Sequence, residues 1–280
     1  MTRFSAHHAD RTVVDLAREA ICDAIADAGT TSGLVDQLVL ANESDHLSRQ
    51  VTLVSAVQSE VGLCERPAMR VEAGGASGAT AFRTAAALLR SGDAEAVIVC
   101  GTEKTGRDMR AGLVSEIFAL SADSDLEFPM GVTFPALYAM ALQVHTGLYG
   151  TTMEQVASVA VKNLRNAAAN EKAHRSADIS VAEVLASAPV ASPYRVLDCS
   201  VLSDGAAAVL LVTEQWMRAN GAEQWMRAND ARSDSGTEPR PLVCLVGSGA
   251  ATAPARLGDR MVDGPAGVAN FSAKSAAAKI

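Results

Sequence analysis

The amino-acid sequence predicts an α/β fold in which a parallel sheet is covered by helices on both faces. Three observations carry this expectation. Short apolar runs at residues 38–40, 68–72 and 96–100 have the length and β-branched content of buried strands. The segments between them place apolar residues at helical spacing. The two kinds of segment alternate, and that order produces parallel strands joined by crossover helices.

The first helix opens at Thr12, with Asp15 three residues on as the second half of a capping box. Val13, Leu16, Ala20, Ile21, Ala24 and Ala28 then recur on one face, and Gly29 is a natural stop. A strand at residues 38–40 follows. Val51, Val54, Val57 and Val61 mark a second helix ended by Gly62. Residues 68–72 read as a strand, residues 79–90 as a helix closed by Ser91 and Gly92, and residues 96–100 as a buried strand.

The middle is less regular. Residues 102–134, with several Ser, Asp and Gly, read as an excursion from the sheet. Pro135 opens a helix to about residue 146. Thr152 opens another, with Val156, Val159, Ala160, Asn163 and Leu164 expected on its inner face. Ser203, Asp204 and Gly205 turn into an apolar strand at residues 206–212, and residues 242–246 are expected to form one more buried strand before Gly247-Ser248-Gly249. Between these lies a perfect repeat: Glu-Gln-Trp-Met-Arg-Ala-Asn occurs at residues 214–220 and again at 223–229. On one continuous helix Trp216 and Trp225 would fall about half a turn out of phase. The repeat therefore reads as a local duplication in a surface connection rather than a duplicated binding element.

Composition narrows the function. Hydrophobic residues make up 49% and charged residues 20%, which suits a globular chain, while aromatics at 4% leave the core to Ala, Val and Leu. The formal net charge of -8 argues against nucleic acid or an anionic membrane as main partner. No apolar run approaches the roughly 18 residues that span a bilayer. Residues 1–10 are polar, unlike a secretory signal, so the expected location is the cytoplasm. Cys22, Cys64, Cys100, Cys199 and Cys244 are scattered and have no CxxC spacing. Neither a disulfide framework nor a metal site is expected, and most should be buried apolar residues.

The chemistry-bearing stretch is Val71-Glu72-Ala73-Gly74-Gly75-Ala76-Ser77-Gly78-Ala79. A strand ends, small residues turn sharply and a helix begins. Such a turn aims backbone N–H groups and the positive end of a helix at one point. No GK[ST] follows and the GxGxxG spacing is absent, so it is not a nucleotide loop of either kind.

This segment resembles the nucleophile elbow of the thiolase superfamily: an acidic residue, two small residues, Cys, Ala, Ser, Gly. The resemblance continues through Phe82, Arg83 and the strand end Val99-Cys100-Gly101-Thr102-Glu103-Lys104. Residues 128–138, 149–152, 159–163 and 193–208 are similar to archaeal-type acetyl-CoA acetyltransferases and to sterol-carrier-protein-type thiolases. It implies a thiolase-like fold: an N-terminal βαβαβ half, a helical loop region and the beginning of the C-terminal half. The implied domains are 1–227, a link at 228–240 and residues 241–280. The implied chemistry is acyl transfer through a cysteine thioester, with coenzyme A thioesters as ligands and no other cofactor.

Three departures bear on activity. The resemblance puts the nucleophilic cysteine at position 75, where this chain has Gly75. Its backbone N–H could still serve as an oxyanion donor. The family's Gly-His-Pro element and second active-site cysteine have no counterpart; His7, His8, His46, His145 and His174 lie in no such context. Relative to the family, the first strand before Thr2 and most of the C-terminal half are absent. Cys64, Cys100 and Cys199 read as structural rather than nucleophilic, and Ser77 as a helix cap. Met130, Phe134 and Tyr138 are the expected walls of the acyl pocket; Phe134 and Tyr138, four apart, can share a face.

The resemblance implies a homodimer, or a complex with a thiolase-family or zinc-ribbon/OB-fold acyl-CoA-binding partner. Three readings remain open: a catalytically impaired subunit that binds a CoA thioester or scaffolds a partner; an active acyltransferase making or cleaving 3-oxoacyl-CoA with residues supplied by a partner; and a decayed or incomplete gene product.

Overall fold

The structure is a computed structural model that describes residues 1–105, 109–221 and 243–264. In chain order its elements are α1 (Val13–Asp27), β1 (Gln37–Ala41), α2 (Asp45–Ser48), α3 (Leu53–Glu60), β2 (Ala68–Val71), α4 (Ser77–Ser91), β3 (Ala96–Glu103), α5 (Ala111–Ala119), α6 (Phe134–Tyr149), α7 (Met153–Ala167), α8 (Val181–Ala186), β4 (Pro189–Ala191), β5 (Tyr194–Arg195), β6 (Gly205–Val212) and α9 (Glu214–Trp216). They fall into two compact units. One comprises Met1–Gly106 with Ser203–Cys244, the other Arg107–Leu202 with Leu245–Ile280.

The first unit is built on a four-stranded sheet ordered β2-β1-β3-β6. β1 pairs parallel with both β2 and β3, as the alternating pattern predicts. β6 pairs antiparallel with β3, so the sheet is mixed rather than wholly parallel. The local sequence of an apolar strand does not encode its direction; the connection before β6 runs through the second unit and re-enters the sheet at the end where β3 left it, Gly205 beside Glu103. One face of the sheet packs Leu38, Leu40, Ile98 and Cys100 against Val13, Ala17 and Ile21 of α1 and Leu53 and Val57 of α3. The other packs Val39, Ala41, Val97 and Val99 against Ala81 and Ala85 of α4. Both faces of β1 are covered, which is why all five of its residues are buried.

The capping box at α1 forms as expected: Thr12 Oγ1 accepts from the Asp15 N–H at 3.1 Å, and Asp15 Oδ2 accepts from the Thr12 N–H at 2.8 Å. These two bonds satisfy N–H groups that a helix start otherwise leaves orphaned. They also hold the Asp15 carboxyl below the usual carboxylate range.

The second unit is mainly helical. α7 opens on its own capping box, Thr152 with Gln155. Of its expected inner face, Val156, Ala160 and Leu164 are half-buried while Val159 and Asn163 are exposed, and Ala157, which was not expected there, is fully buried. Packing against α8 centres the buried stripe of α7 on Ala157, with Val156, Ala160 and Leu164 beside it.

The expected strand at residues 242–246 does not form at residues 243–246, where Val243 and Val246 are 89% and 86% exposed. No described strand lies beside it to complete a ladder, and a lone apolar run has nothing to pair with. The expected link at 228–240 and the second copy of the repeat, residues 223–229, lie outside the described residues.

Candidate functional site

The elbow is built at the carboxyl end of β2. The chain leaves Val71, turns through residues 72–76 and enters α4 at Ser77. Glu72 Oε1 accepts from the Gly74 N–H at 2.6 Å. Ser77 Oγ accepts from the Ala73 N–H at 2.9 Å and donates to the Gly74 carbonyl at 2.6 Å. Ser77 is therefore a clasp across the turn rather than the cap expected of it; Ala76 occupies the cap position with no side-chain bond. Gly74 has φ +55°, a left-handed conformation that favours glycine. Gly75 does not, and no atom lies within 4 Å of where its Cβ would stand. Position 75 thus lacks a side chain by sequence, not by steric or backbone demand. It is exposed and lies two residues before the α4 N-terminus.

A polar hub missed in the sequence reading supports the strand ends beside the elbow. Asn42, 2% exposed, donates from Nδ2 to the Thr102 carbonyl at 3.1 Å and to Glu103 Oε1 at 2.9 Å. Glu103 Oε2 accepts from the Glu43 N–H at 2.8 Å. Burial pushes the Glu103 carboxyl up to about 7, and the nearby Glu43 carboxylate adds to the shift. Glu43 is itself raised, first by burial and then by Glu72. The signal was available: Asn42 and Glu103 each end an apolar run, where a polar side chain at the end of a buried strand must find a partner.

Asp204, at the start of β6, gathers a second set. It is fully buried and accepts from the His8 N–H at 3.0 Å and the Thr105 N–H at 2.9 Å, with His7 Nδ1 3.5 Å away. Lys104 Nζ donates to the His8 carbonyl at 2.7 Å and to the Arg11 carbonyl. The chain before α1 is thereby tied to the end of β3.

No cysteine offers a substitute thiol within the described elbow. Cys100 is fully buried and its thiol is pushed up to about 12 by that burial. Cys199 is raised by burial and by Asp198. Cys22, Cys64 and Cys244 are exposed, against the expectation that most would be buried. Cys64 follows α3 at a turn, where small residues face solvent.

Met130, Phe134 and Tyr138 belong to the second unit. Phe134 and Tyr138 do share a face of α6, their rings 5.0 Å apart in an edge-to-face contact, with Phe118 6.0 Å from Phe134. Met130 is 73% exposed. Among the described residues no group of acidic, His or Cys side chains could hold a metal ion, and no helix is long and apolar enough to cross a membrane.

A largely parallel sheet with a strand-turn-helix elbow at its carboxyl end defines the class of α/β folds that present a reacting group at a helix start. Within that class the comparison is specific. Residues 1–184 match the model of the thiolase N-terminal domain, and the chain belongs to the thiolase family. An acetyl-CoA acetyltransferase of Methanothermobacter thermautotrophicus is 40% identical over 198 residues, covering 70% of this chain and 51% of that one. A benzoylsuccinyl-CoA thiolase subunit, BbsB, of Thauera aromatica is 30% identical, covering 79% and 55%. The structure titled Ltp2-ChsH2(DUF35) aldolase superposes with TM-score 0.62 at 30% identity, covering 78% of this chain and 55% of that one. Human mitochondrial 3-ketoacyl-CoA thiolase gives TM-score 0.62 at 18% identity, covering 78% and 64%, which shows the shared fold. The chain spans about half the length of the curated relatives it matches.

Proposed function

We propose that this chain is a catalytically impaired thiolase-family subunit that binds a CoA thioester or scaffolds an active partner. One observation carries the reading. The elbow keeps its strand, turn and helix, yet the position the resemblance assigns to the nucleophile holds Gly75, with open space where a thiol would sit. A covalent thioester needs a side-chain sulfur there. What remains is a helix N-terminus and backbone N–H groups, which suit binding of a carbonyl or phosphate but supply no base. Met130, Phe134 and Tyr138 are proposed to contact the acyl part of the ligand.

The runner-up is an acyltransferase whose missing groups come from a partner chain. It draws on the relatives named as a subunit and as a two-component aldolase. A zinc-ribbon/OB-fold acyl-CoA-binding partner or a second thiolase-family chain would fit either reading.

The test is calorimetry with acetyl-CoA alongside an acetyl-transfer assay on protein free of host thiolase. Binding without turnover is expected. Loss of a nucleophile with its base costs on the order of 10⁶ in rate, so turnover of the chain alone should be undetectable. Tyr138→Ala should weaken binding more than it lowers the thermal midpoint. Robust turnover by the chain alone would overturn the proposal, and turnover only on adding a partner would favour the runner-up. No binding at millimolar ligand would remove the CoA-thioester role.

A further inference from the structure

The first copy of the perfect repeat, residues 214–220, sits in a built socket of the first unit. Trp216 is its one buried side chain; Glu214, Gln215, Arg218 and Ala219 are exposed. The indole Nε1 donates to the Leu34 carbonyl at 3.1 Å, just before β1. Two further bonds are internal to the copy: Arg218 pairs with Glu214, and Asn220 Nδ2 donates to the Trp216 carbonyl at 3.4 Å. Thr213, the residue before the repeat, adds three more. Its N–H donates to the Glu95 carbonyl at 2.9 Å, its carbonyl accepts from the Met217 N–H at 3.1 Å, and its Oγ1 accepts from the Trp216 N–H at 3.1 Å. The second copy, residues 223–229, lies outside the described residues, but it repeats all seven side chains in the same order nine residues on. Ala222 precedes it as Thr213 precedes the first. The backbone of Ala222 has the N–H and C=O for two of the three Thr213 bonds and lacks only the hydroxyl.

We propose that the socket at Leu34 works in two registers: it takes Trp216 in the described arrangement, and Trp225 when the chain slips by nine residues. Because the copies are identical, every side-chain contact that one gives up on leaving the socket is regained by the other on entering. Two differences remain, and both favour the described register. The first is the Thr213 hydroxyl, which caps the start of α9 and has no counterpart at Ala222. Loss of such a cap shifts an equilibrium by a factor of about five. The second is the loop that the slipped register inserts between β6 and the socket, residues 213–221; the cost of a loop grows only with the logarithm of its length. The slip also changes the tether beyond the socket. Residues 221–242 separate the socket from residue 243 in one register, and residues 230–242 do so in the other. Thr213 is thus the residue that selects the register and, through it, the length of chain leading from the sheet to residue 243. The inference stands apart from any acyl chemistry.

The experiment is hydrogen exchange of the two indole N–H groups, read separately by NMR on the whole chain. In Trp216→Ala the first copy no longer fills the socket, so the Trp225 indole N–H should slow at least about tenfold relative to the parent, the mark of a bond gained in a buried site. Trp225→Ala should then lower the thermal midpoint more in the Trp216→Ala chain than in the parent. The second variant moves the cap, Thr213→Ala together with Ala222→Thr, and keeps both indoles. Two cap changes of about fivefold each should speed exchange at Trp216 about 20-fold and slow it at Trp225. Unchanged exchange at Trp225 in Trp216→Ala, with equal midpoint losses from Trp225→Ala in both chains, would overturn the proposal. Should Trp216→Ala fail to fold, the cap exchange decides alone: unchanged protection of both indoles there means that the socket has a single register.

Discussion

The ring of Phe4 occupies the space that a side chain at Gly205 would need. A Cβ built on Gly205 would lie 2.8 Å from Cδ1 and Cε1 of that ring. No such approach between carbon atoms is tolerated, and an aromatic ring cannot bend aside. Gly205→Ala should therefore push Phe4 off the start of β6 and cost about 1–3 kcal/mol. Urea denaturation reads the cost. Phe4→Leu in the same chain should recover part of it, giving a favourable coupling in the double-mutant cycle. Strict additivity of the two substitutions would show that the ring and the glycine do not meet.

The two glycines of the elbow should respond differently to a side chain. Gly74 sits at φ +55°, so Gly74→Ala forces an L residue into the left-handed region and should cost about 1 kcal/mol. Gly75 lies outside that region with open space around it, so Gly75→Cys should change stability by no more than about 0.5 kcal/mol. The new thiol should alkylate readily with iodoacetamide, since the position is exposed. It should not restore acetyl transfer, because no base accompanies it. Thermal melts, labelling mass spectrometry and the transfer assay check the three statements separately.

Glu103 predicts a pH dependence of stability with a definite sign. Burial raises its carboxyl from 4.5 to about 7 in the folded chain. The fold therefore holds that proton more tightly than the unfolded chain does. The stability this contributes is complete below pH 4.5 and is lost as pH rises through about 7. The shift sets an upper size of about 3 kcal/mol. Glu43, raised in the same direction, adds to the slope, whereas Asp15 and Glu183, both lowered, act at more acid pH and with the opposite sign. The difference between parent and Glu103→Gln isolates the one group. Parent stability should fall between pH 4.5 and 7 relative to the variant; parallel curves would mean that Glu103 is charged throughout.

Much of the first unit was legible because its signals are local. Thr12 with Asp15 forms the expected box, and β1, β2, β3 and α4 fall where period and turn residues put them. What failed depends on partners that no local window contains. The direction of β6 follows from the route of the intervening chain. The inner face of α7 is shifted from the expected one toward Ala157 by what it packs on, which leaves Val159 exposed. Residues 243–246 have the composition of a strand but no described neighbour. At the site, the strand, turn and helix around Gly75 were readable from local pattern; the hub was signalled only as two polar residues ending apolar runs, and that Asn42 and Glu103 are each other's partners was not readable, because they lie 61 residues apart.

The repeated Glu-Gln-Trp-Met-Arg-Ala-Asn gives the last prediction, since its first copy has a defined place. Trp216 is 5% exposed, and its Nε1 donates to the Leu34 carbonyl at 3.1 Å. Thr213 Oγ1 accepts from the Trp216 N–H at 3.1 Å and starts the short α9. The expectation that this stretch is only a surface connection thus fails for the first copy: its indole plugs the end of the sheet beside the turn before β1. Trp216→Phe keeps most of the buried ring but leaves the Leu34 carbonyl without its donor, and should cost about 1 kcal/mol. Trp216→Ala also opens a cavity and should cost about 3–5 kcal/mol. Trp225, in the second copy, must be silenced before emission is informative. In a Trp225→Phe background, the remaining indole should emit toward the blue and resist acrylamide quenching. Quenching at the rate of a free indole would place Trp216 in solvent, and the two costs would then collapse toward zero together.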